Sequence, residues 1–336
     1  MADTDDYEPN DDRGVARVLR AAGTRASPSE EMQQAVRAAV RDEWRAAVAE
    51  RARRRRMRWV AVAAGVAVAG LGLWASRLLL QGPGPVVASV SRTIGAVTAR
   101  DAVWSPWHAT RIQQQLRAGD DLKTGADGRA ALALPGGVSL RLDHDTRIAL
   151  VGVRRINVSS GAIYVDTGRR PGAADALQVE TPIGVVRHLG TQFEVKVAEH
   201  GVRIRVREGR IELNTLRGVA REARTGDELL VSAGGGISSG RIAPSSSEWK
   251  WVVSSAPPFA IEGRPVGEFL AWVGRELGRE IVFATPESAA EASRAVLSGS
   301  VAGLAADEAL AAVLPTTRLH SLERGEQIVI TLDSAP

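Results

Sequence analysis

The sequence predicts a membrane-anchored, multidomain chain: a helical cytoplasmic segment, one transmembrane helix, an all-β outer domain that is layered or solenoid-like, and a small C-terminal α+β domain. Three observations predict it. Trp59 to Ser76 carries no charged residue and follows directly on Arg51, Arg53, Arg54, Arg55, Arg56 and Arg58. From Val86, short β-rich runs alternate with Gly, Asp and Asn turns at roughly eight- to twelve-residue spacing. From residue 259 the pattern changes again, and helical stripes alternate with short strands.

Residues 58–80 are the expected span. A helix from Trp59 to Ser76 rises about 27 Å, and continuing to Leu80 passes the ~30 Å of a hydrocarbon core. Trp59 and Trp74 fall near its two ends, where indole rings prefer the headgroup level. Arg77 can snorkel outward. The run is mostly Ala, Gly and Val, so its insertion energy is modest, about −4 kcal/mol in all. Ala61, Gly65 and Ala69 recur at four-residue spacing, which suits either close helix packing or a passive anchor. Basic flanks stay inside, so residues 1–57 are expected in the cytoplasm and the C-terminal bulk outside.

Composition narrows the function classes. A hydrophobic fraction of 44% supplies real cores, and the net charge is +4. Much of that excess is the arginine block, which a membrane flank explains better than nucleic acid does. There are no cysteines, which excludes disulfides and thiolate zinc sites.

Within residues 1–57, an acidic stretch (Asp3, Asp5, Asp6, Glu8, Asp11, Asp12) reads as a solvated tail. Residues 14–22 suit a short helix. Ser27, Pro28 and Glu30 read as a second helix start. From there Met32, Val36, Val40 and Trp44 recur at four-residue spacing, an amphipathic stripe on a segment too small for its own core. Such a stripe is expected to bind a partner's groove.

Residues 86–242 form the expected all-β domain, with strands at 86–91, 95–100, 129–134, 138–142, 147–151, 155–158, 162–166, 177–180, 184–189, 193–198, 202–207, 210–213 and 228–231. Alternation in Val202–Arg207 puts Arg203, Arg205 and Arg207 on one face, read as solvated. Residues 233–247 read as a flexible break, and 243–258 as the linker to the next domain. Trp249 and Trp251 could dock that linker onto a domain. Residues 259–332 are expected as the α+β domain: strands at 259–262, 281–283 and 296–300, helices at 265–277 and 307–314, and a final hairpin around Gly325.

Two stretches carry a recognisable pattern. Thr181-Pro182-Ile183-Gly184-Val185-Val186-Arg187-His188-Leu189-Gly190-Thr191-Gln192-Phe193-Glu194-Val195 resembles the T-P-x-G-x-x-R-x-x-G-T-x-F-x-V signature of FecR-type transmembrane regulators. Gly119–Gly125, Gly136–Leu140 and Val206–Glu212 resemble the same family's flanking strands. The C-terminal stretch, with Phe259-Ala260-Ile261, Leu297-Ser298-Gly299 and Asp307-Glu308-Ala309-Leu310, is similar to the short N-terminal domain of secretins and TonB-dependent transducers. The resemblance implies a single-pass regulator in a bacterial inner membrane. It implies an anti-sigma type of activity, relaying a periplasmic signal from a TonB-dependent receptor's signalling domain to a cytoplasmic ECF-type sigma factor, in a setting of iron-transport regulation. Membrane lipid and an intramembrane protease are further implied partners. The rival reading is an envelope adaptor that binds cell-wall or secretion components through its β-domain. The tryptophan-bearing repeat of the family's cytoplasmic domain is missing, and Trp44 stands alone there.

Little conventional chemistry is legible. There is no GxSxG elbow, P-loop or dinucleotide fingerprint. The five histidines do not cluster, and Asp143-His144-Asp145 reads as a solvated turn. No enzyme activity, cofactor or metal is expected. One exception follows from the resemblance: some FecR-type regulators break their own chain at the bond corresponding to Gly190-Thr191.

Overall fold

The computed structural model describes residues 12–23, 29–80, 84–102, 104–168, 177–188 and 190–333; some side chains within 12–80 lie outside that description. The chain divides into two compact units, Met1–Gln81 and Gly82–Pro336.

The described residues of the first unit are almost all helical. Helix α1 spans Asp12–Ala21, and α2 runs from Glu30 to Leu80 as one 51-residue helix. The described start of α2 is capped by Ser29, whose Oγ accepts a hydrogen bond from the Met32 N–H. The expected cap at Ser27 and Pro28 lies outside the described residues. Among the described residues no helix is long and apolar enough to cross a membrane. Residues 59–76 fall within α2, but the side chains of Arg54, Arg55, Arg58, Trp59 and Trp74 lie outside the described residues.

The second unit begins with a β-sandwich. Its strands are β1 Val86–Ile94, β2 Val97–Arg100, β3 His108–Ala109, β4 Gln115–Arg117, β5 Asp121–Thr124, β6 Arg129–Leu134, β7 Val138–Leu142, β8 Arg147–Gly152, β9 Arg155–Asp166, β10 Gln178–Thr181, β11 Gly184–His188, β12 Gln192–Ala198, β13 Gly201–Glu208, β14 Arg210–Thr215, β15 Ala220–Arg224, β16 Asp227–Ser232 and β17 Ile237–Arg241. One layer, sheet A, has the order β4-β1-β6-β7-β9-β12-β13-β16-β17. The other, sheet B, has the order β3-β2-β5-β8-β9-β10-β11-β14-β15. Strand β9 belongs to both. Its first half pairs with β8 and β10, the latter in parallel, and its second half pairs with β7 and β12.

Alternation fills the space between the layers. Leu140, Leu142, Ile163, Val165, Phe193, Val195, Ile204 and Val206 of sheet A meet Leu122, Ile148, Ile156, Val158, Val179, Val186 and Ile211 of sheet B in one buried cluster. The architecture is therefore layered. The runs expected as separate strands at 155–158 and 162–166 are one strand. It bends at Gly161, whose φ is +83°.

Beyond β17 the chain departs from the expected linker. The flexible break read at 233–247 contains β17, paired with β16. Residues 243–258 pack instead of swinging free. Ser247–Trp249 is a 3-10 turn leading into α3, Lys250–Ser254, and Trp249 is buried. Two indoles and a valine in this short stretch need cover, and sheet A supplies it.

The C-terminal part has α4 Val266–Leu277, β18 Glu280–Phe283, α5 Pro286–Arg294, α6 Ala306–Val313, β19 Leu319–Arg324 and β20 Gln327–Leu332. The sheet order is β18-β20-β19. Val266, Phe269, Leu270 and Val273 of α4 form its core with Leu310, Val313, Ile328 and Ile330. The strands expected at 259–262 and 296–300 are not formed; one bridge, Pro265 to Val296, replaces them. Helix α5, not anticipated, opens on a Thr285 cap with reciprocal Ser288 bonds and Pro286 in its first turn.

Candidate functional site

The site is the outer face of sheet A. If the inward residues of a strand are apolar, the outward ones are ordinarily solvated. Here they form lateral rows of charge that are covered. Arg141 on β7, Tyr164 on β9, Glu194 on β12, Arg205 on β13 and Glu228 on β16 lie opposite one another across five strands. Arg141, Tyr164, Glu194 and Arg205 are all buried.

Residues 243–279 form the lid. Arg141 makes a two-pronged pair with Glu276 of α4, Nη1 to Oε2 at 2.7 Å and Nη2 to Oε1 at 2.6 Å. Nη1 also donates to the Val252 carbonyl at 2.9 Å. Burial works against the Arg141 charge, and Glu276 more than offsets it, holding the guanidinium above its ordinary range. Trp249 meets the Tyr164 ring edge-on at 6.0 Å, and the Arg207 guanidinium lies over Trp249 at 5.3 Å. Burial raises the Tyr164 phenol well above its usual pKa. The Trp251 indole N–H donates to Glu194 at 3.0 Å, and Arg205 reaches Glu248 at 2.5 Å. Arg207 Nε donates to the Pro244 carbonyl. Arg205 and Arg207, expected on a solvated strand face with Arg203, are therefore buried under the lid. The two tryptophans do dock this segment, but from a helical turn instead of an extended one.

A second row lies at one end of the face. Gln192, the first residue of β12, pairs in register with Asp166 on β9 and Glu208 on β13. Its side-chain amide donates to Asp166 Oδ2 at 2.9 Å. Arg275 of α4 reaches both flanking carboxylates. Nη2 donates to Asp166 Oδ1, Nε to Asp166 Oδ2 at 3.1 Å, and Nη1 to Glu208 Oε2 at 2.8 Å. Burial pushes the Asp166 carboxyl up, but the Arg275, Gln192 and Gly168 donors outweigh it and hold it below the usual carboxylate range.

The signature residues occupy β10, β11, β12 and their turns. Thr181 Oγ1 donates to the Gly184 carbonyl at 2.8 Å, which closes the Thr181-Pro182-Ile183-Gly184 hairpin turn. Arg187 is exposed on β11, and Phe193 is core. His188 stacks on Phe193 at 6.2 Å and accepts the Leu177 N–H on Nε2 at 2.7 Å. Burial pushes its pKa down to about 4, so it is neutral at pH 7. Gly190 has φ +69°. Its carbonyl lies so close to Gly209 that a Cβ there would come within 2.4 Å of the oxygen. The Thr191 N–H donates to Thr167 Oγ1 at 2.9 Å, while Thr191 Oγ1 is buried with no hydrogen-bond partner.

Residues 120–212 match the protein-family model described as FecR protein. These residues form a FecR domain. No curated protein matches the chain. Two crystal structures of a candidate anti-sigma factor from Parabacteroides distasonis are similar at 17% identity, covering 64% of this chain and 99% of that one, with TM-scores of 0.36 and 0.35. A cell surface anchoring domain is similar at 16% identity over 20% of this chain and 87% of its own, with a TM-score of 0.19. At these TM-scores the likenesses do not establish a shared fold. The FecR domain contains Arg141, Tyr164, Asp166, Glu194, Arg205, Arg207 and Glu208, the floor of the seam; Trp249, Arg275 and Glu276 of the lid lie beyond it.

Other expected positions stand apart. Met32, Val36, Val40 and Trp44 are 57–67% exposed on α2. The side chains of Arg53 and Arg56 are exposed. Asp143, His144 and Asp145 stay close together, with His144 Nδ1 3.2 Å from Asp145 Oδ2. Among the described residues no group of three His, Asp or Glu is placed to hold a metal ion.

Proposed function

We propose that the protein is a signal-transducing regulator of the anti-sigma type. The FecR match over residues 120–212 carries the reading. In this reading 58–80 crosses the inner membrane and contacts lipid, with residues 1–57 cytoplasmic and the FecR domain periplasmic. The signal comes from the signalling domain of a TonB-dependent receptor, and an ECF-type sigma factor is held inside. The exposed stripe Met32, Val36, Val40 and Trp44 is the surface offered to that sigma factor, since unpartnered apolar side chains at four-residue spacing suit a groove. An intramembrane protease acting on the Ala- and Gly-rich span would release the inner segment.

The full chain, tagged at its C-terminus and purified from membranes of its host, should carry a sigma factor identifiable by mass spectrometry. Trp44→Asp should weaken that recovery about thirtyfold, the scale of a lost aromatic hot spot. Absence of any sigma factor, or recovery indifferent to Val36→Asp and Trp44→Asp, overturns the reading and favours the envelope adaptor.

The buried, partnerless Thr191 hydroxyl favours a second reading, a chain break at Gly190-Thr191. Oγ1 adds to the Gly190 carbonyl carbon, the bond to the Thr191 nitrogen breaks as that nitrogen takes the proton, and water hydrolyses the resulting ester. Blotting from both ends should show two fragments in the wild type and one full-length band in Thr191→Ala. A single band in the wild type removes this reading.

A further inference from the structure

The seam has one contact that spans three strands. Gln192 begins β12, one residue after Thr191, and the neighbours it pairs with on either side carry Asp166 and Glu208. Two carboxylates flanking one residue repel each other, and one of them is mostly buried. Arg275 answers both at once, from a helix far along the chain and outside the FecR domain. Further along β12, Phe193, Val195 and Val197 are fastened by core packing. Its start, though buried, contributes no side chain to that core. Gly190 precedes it in a left-handed conformation, and Thr191 is held through Thr167, whose N–H donates to the Thr191 carbonyl at 3.1 Å.

We propose that Arg275 is a positioning residue, a staple through which the C-terminal module governs how tightly the Gly190-Thr191-Gln192 segment is held in sheet A. With α4 docked, Asp166, Gln192 and Glu208 are clamped side by side and the segment is closed. When α4 lifts, as on binding of another protein to the C-terminal module, the two carboxylates lose their shared cation and the start of β12 frays. The neighbouring residue Glu276 anchors the same helix to Arg141, so both ties release together. The segment's accessibility is thus set by a domain that is distant in sequence, whether or not the Gly190-Thr191 bond itself breaks.

Amide hydrogen exchange in the purified full chain tests this. Arg275→Ala should speed exchange of the Thr191 and Gln192 amides by about tenfold or more and leave Val195 and Val197 unchanged, because local opening is reported separately from global unfolding. Arg275→Lys keeps the charge but loses the fork, so it should fall between the two. Adding Glu208→Gln to Arg275→Ala removes the repulsion and should restore part of the protection. Unchanged exchange at Thr191 and Gln192 overturns the proposal. So does equal acceleration along all of β12, and so does a Glu208→Gln addition that leaves the Arg275→Ala rates where they were.

Discussion

Glu276→Ala should destabilise the Gly82–Pro336 unit by about 3–5 kcal/mol, the cost of stranding one partner of a buried pair. The side chains of Arg141 and Glu276 are only 1% and 6% exposed. The pair was not built for Coulombic gain alone, since taking both charges out of water offsets most of their attraction. Its energetic weight appears when one partner is removed. Arg141 cannot shed its proton at any accessible pH. Without Glu276 it keeps the Val252 carbonyl and the face of Tyr164, 5.3 Å away, while its Nε already lacks a partner. The control is Arg141→Met with Glu276→Leu, which removes both charges and keeps the volume; it should lie within about 1–2 kcal/mol of the wild type or above it. Urea unfolding followed by tryptophan fluorescence suits the measurement, because Trp249 sits in the same seam. If Glu276→Ala unfolds no more easily than the double variant, the pair is not a stability determinant and the lid is held by Trp249 and its neighbours.

That pair also shows where sequence reading stops. Strands β6 and β7 are legible to the residue, because alternating apolar runs are bounded by Gly and Asp turns. Strands β3, β4 and β15 are not, because two or three residues, or the charged Ala-Arg-Glu-Ala-Arg edge, carry no alternation. Helix α5 has few apolar residues to make a stripe, but its Thr285-Pro286 start was a readable cap. The signature positions were visible as a motif; what the motif builds was only half visible. The strands expected at 177–180 and 184–189 leave Thr181 to Gly184 as their turn, whereas Arg141, Glu194 and Arg205 sit at outward positions that look the same whether water or a helix covers them. Arg141 finds Glu276 across 135 residues, and no local pattern encodes that meeting. The Trp249 and Trp251 pair was the one legible hint that the face had a cover.

Gly161→Ala should cost about 2–5 kcal/mol, combining about 1–2 kcal/mol for a left-handed residue with a Cβ and about 1–3 kcal/mol for overpacking. Gly161 is where β9 passes from sheet B to sheet A, at φ +83°. A Cβ there would come 2.4 Å from the Thr146 Cα, which is backbone and cannot swing aside. Thr146 is itself pinned. Its N–H donates to Thr124 Oγ1 at 2.9 Å, its hydroxyl donates to the Ala162 carbonyl at 3.1 Å, and Thr146 Oγ1 in turn accepts the Ala162 N–H at 3.0 Å. Gly136→Ala separates the two contributions. Gly136 has φ +81°, but nothing lies within 4 Å of a Cβ built there. It should lose only the conformational part. At roughly 2–4 °C per kcal/mol for a unit of this size, the two variants should melt several degrees apart. The effect should also reach the seam, because residues 162–166 of β9 carry Tyr164 and Asp166 into sheet A. Trp249 fluorescence in Gly161→Ala should therefore shift toward that of an exposed indole below the melting transition, while in Gly136→Ala it should not. Equal melting temperatures for the two variants would mean that Thr146 yields, and that the crossing of β9 is held by its two flanking ladders instead of by this close approach.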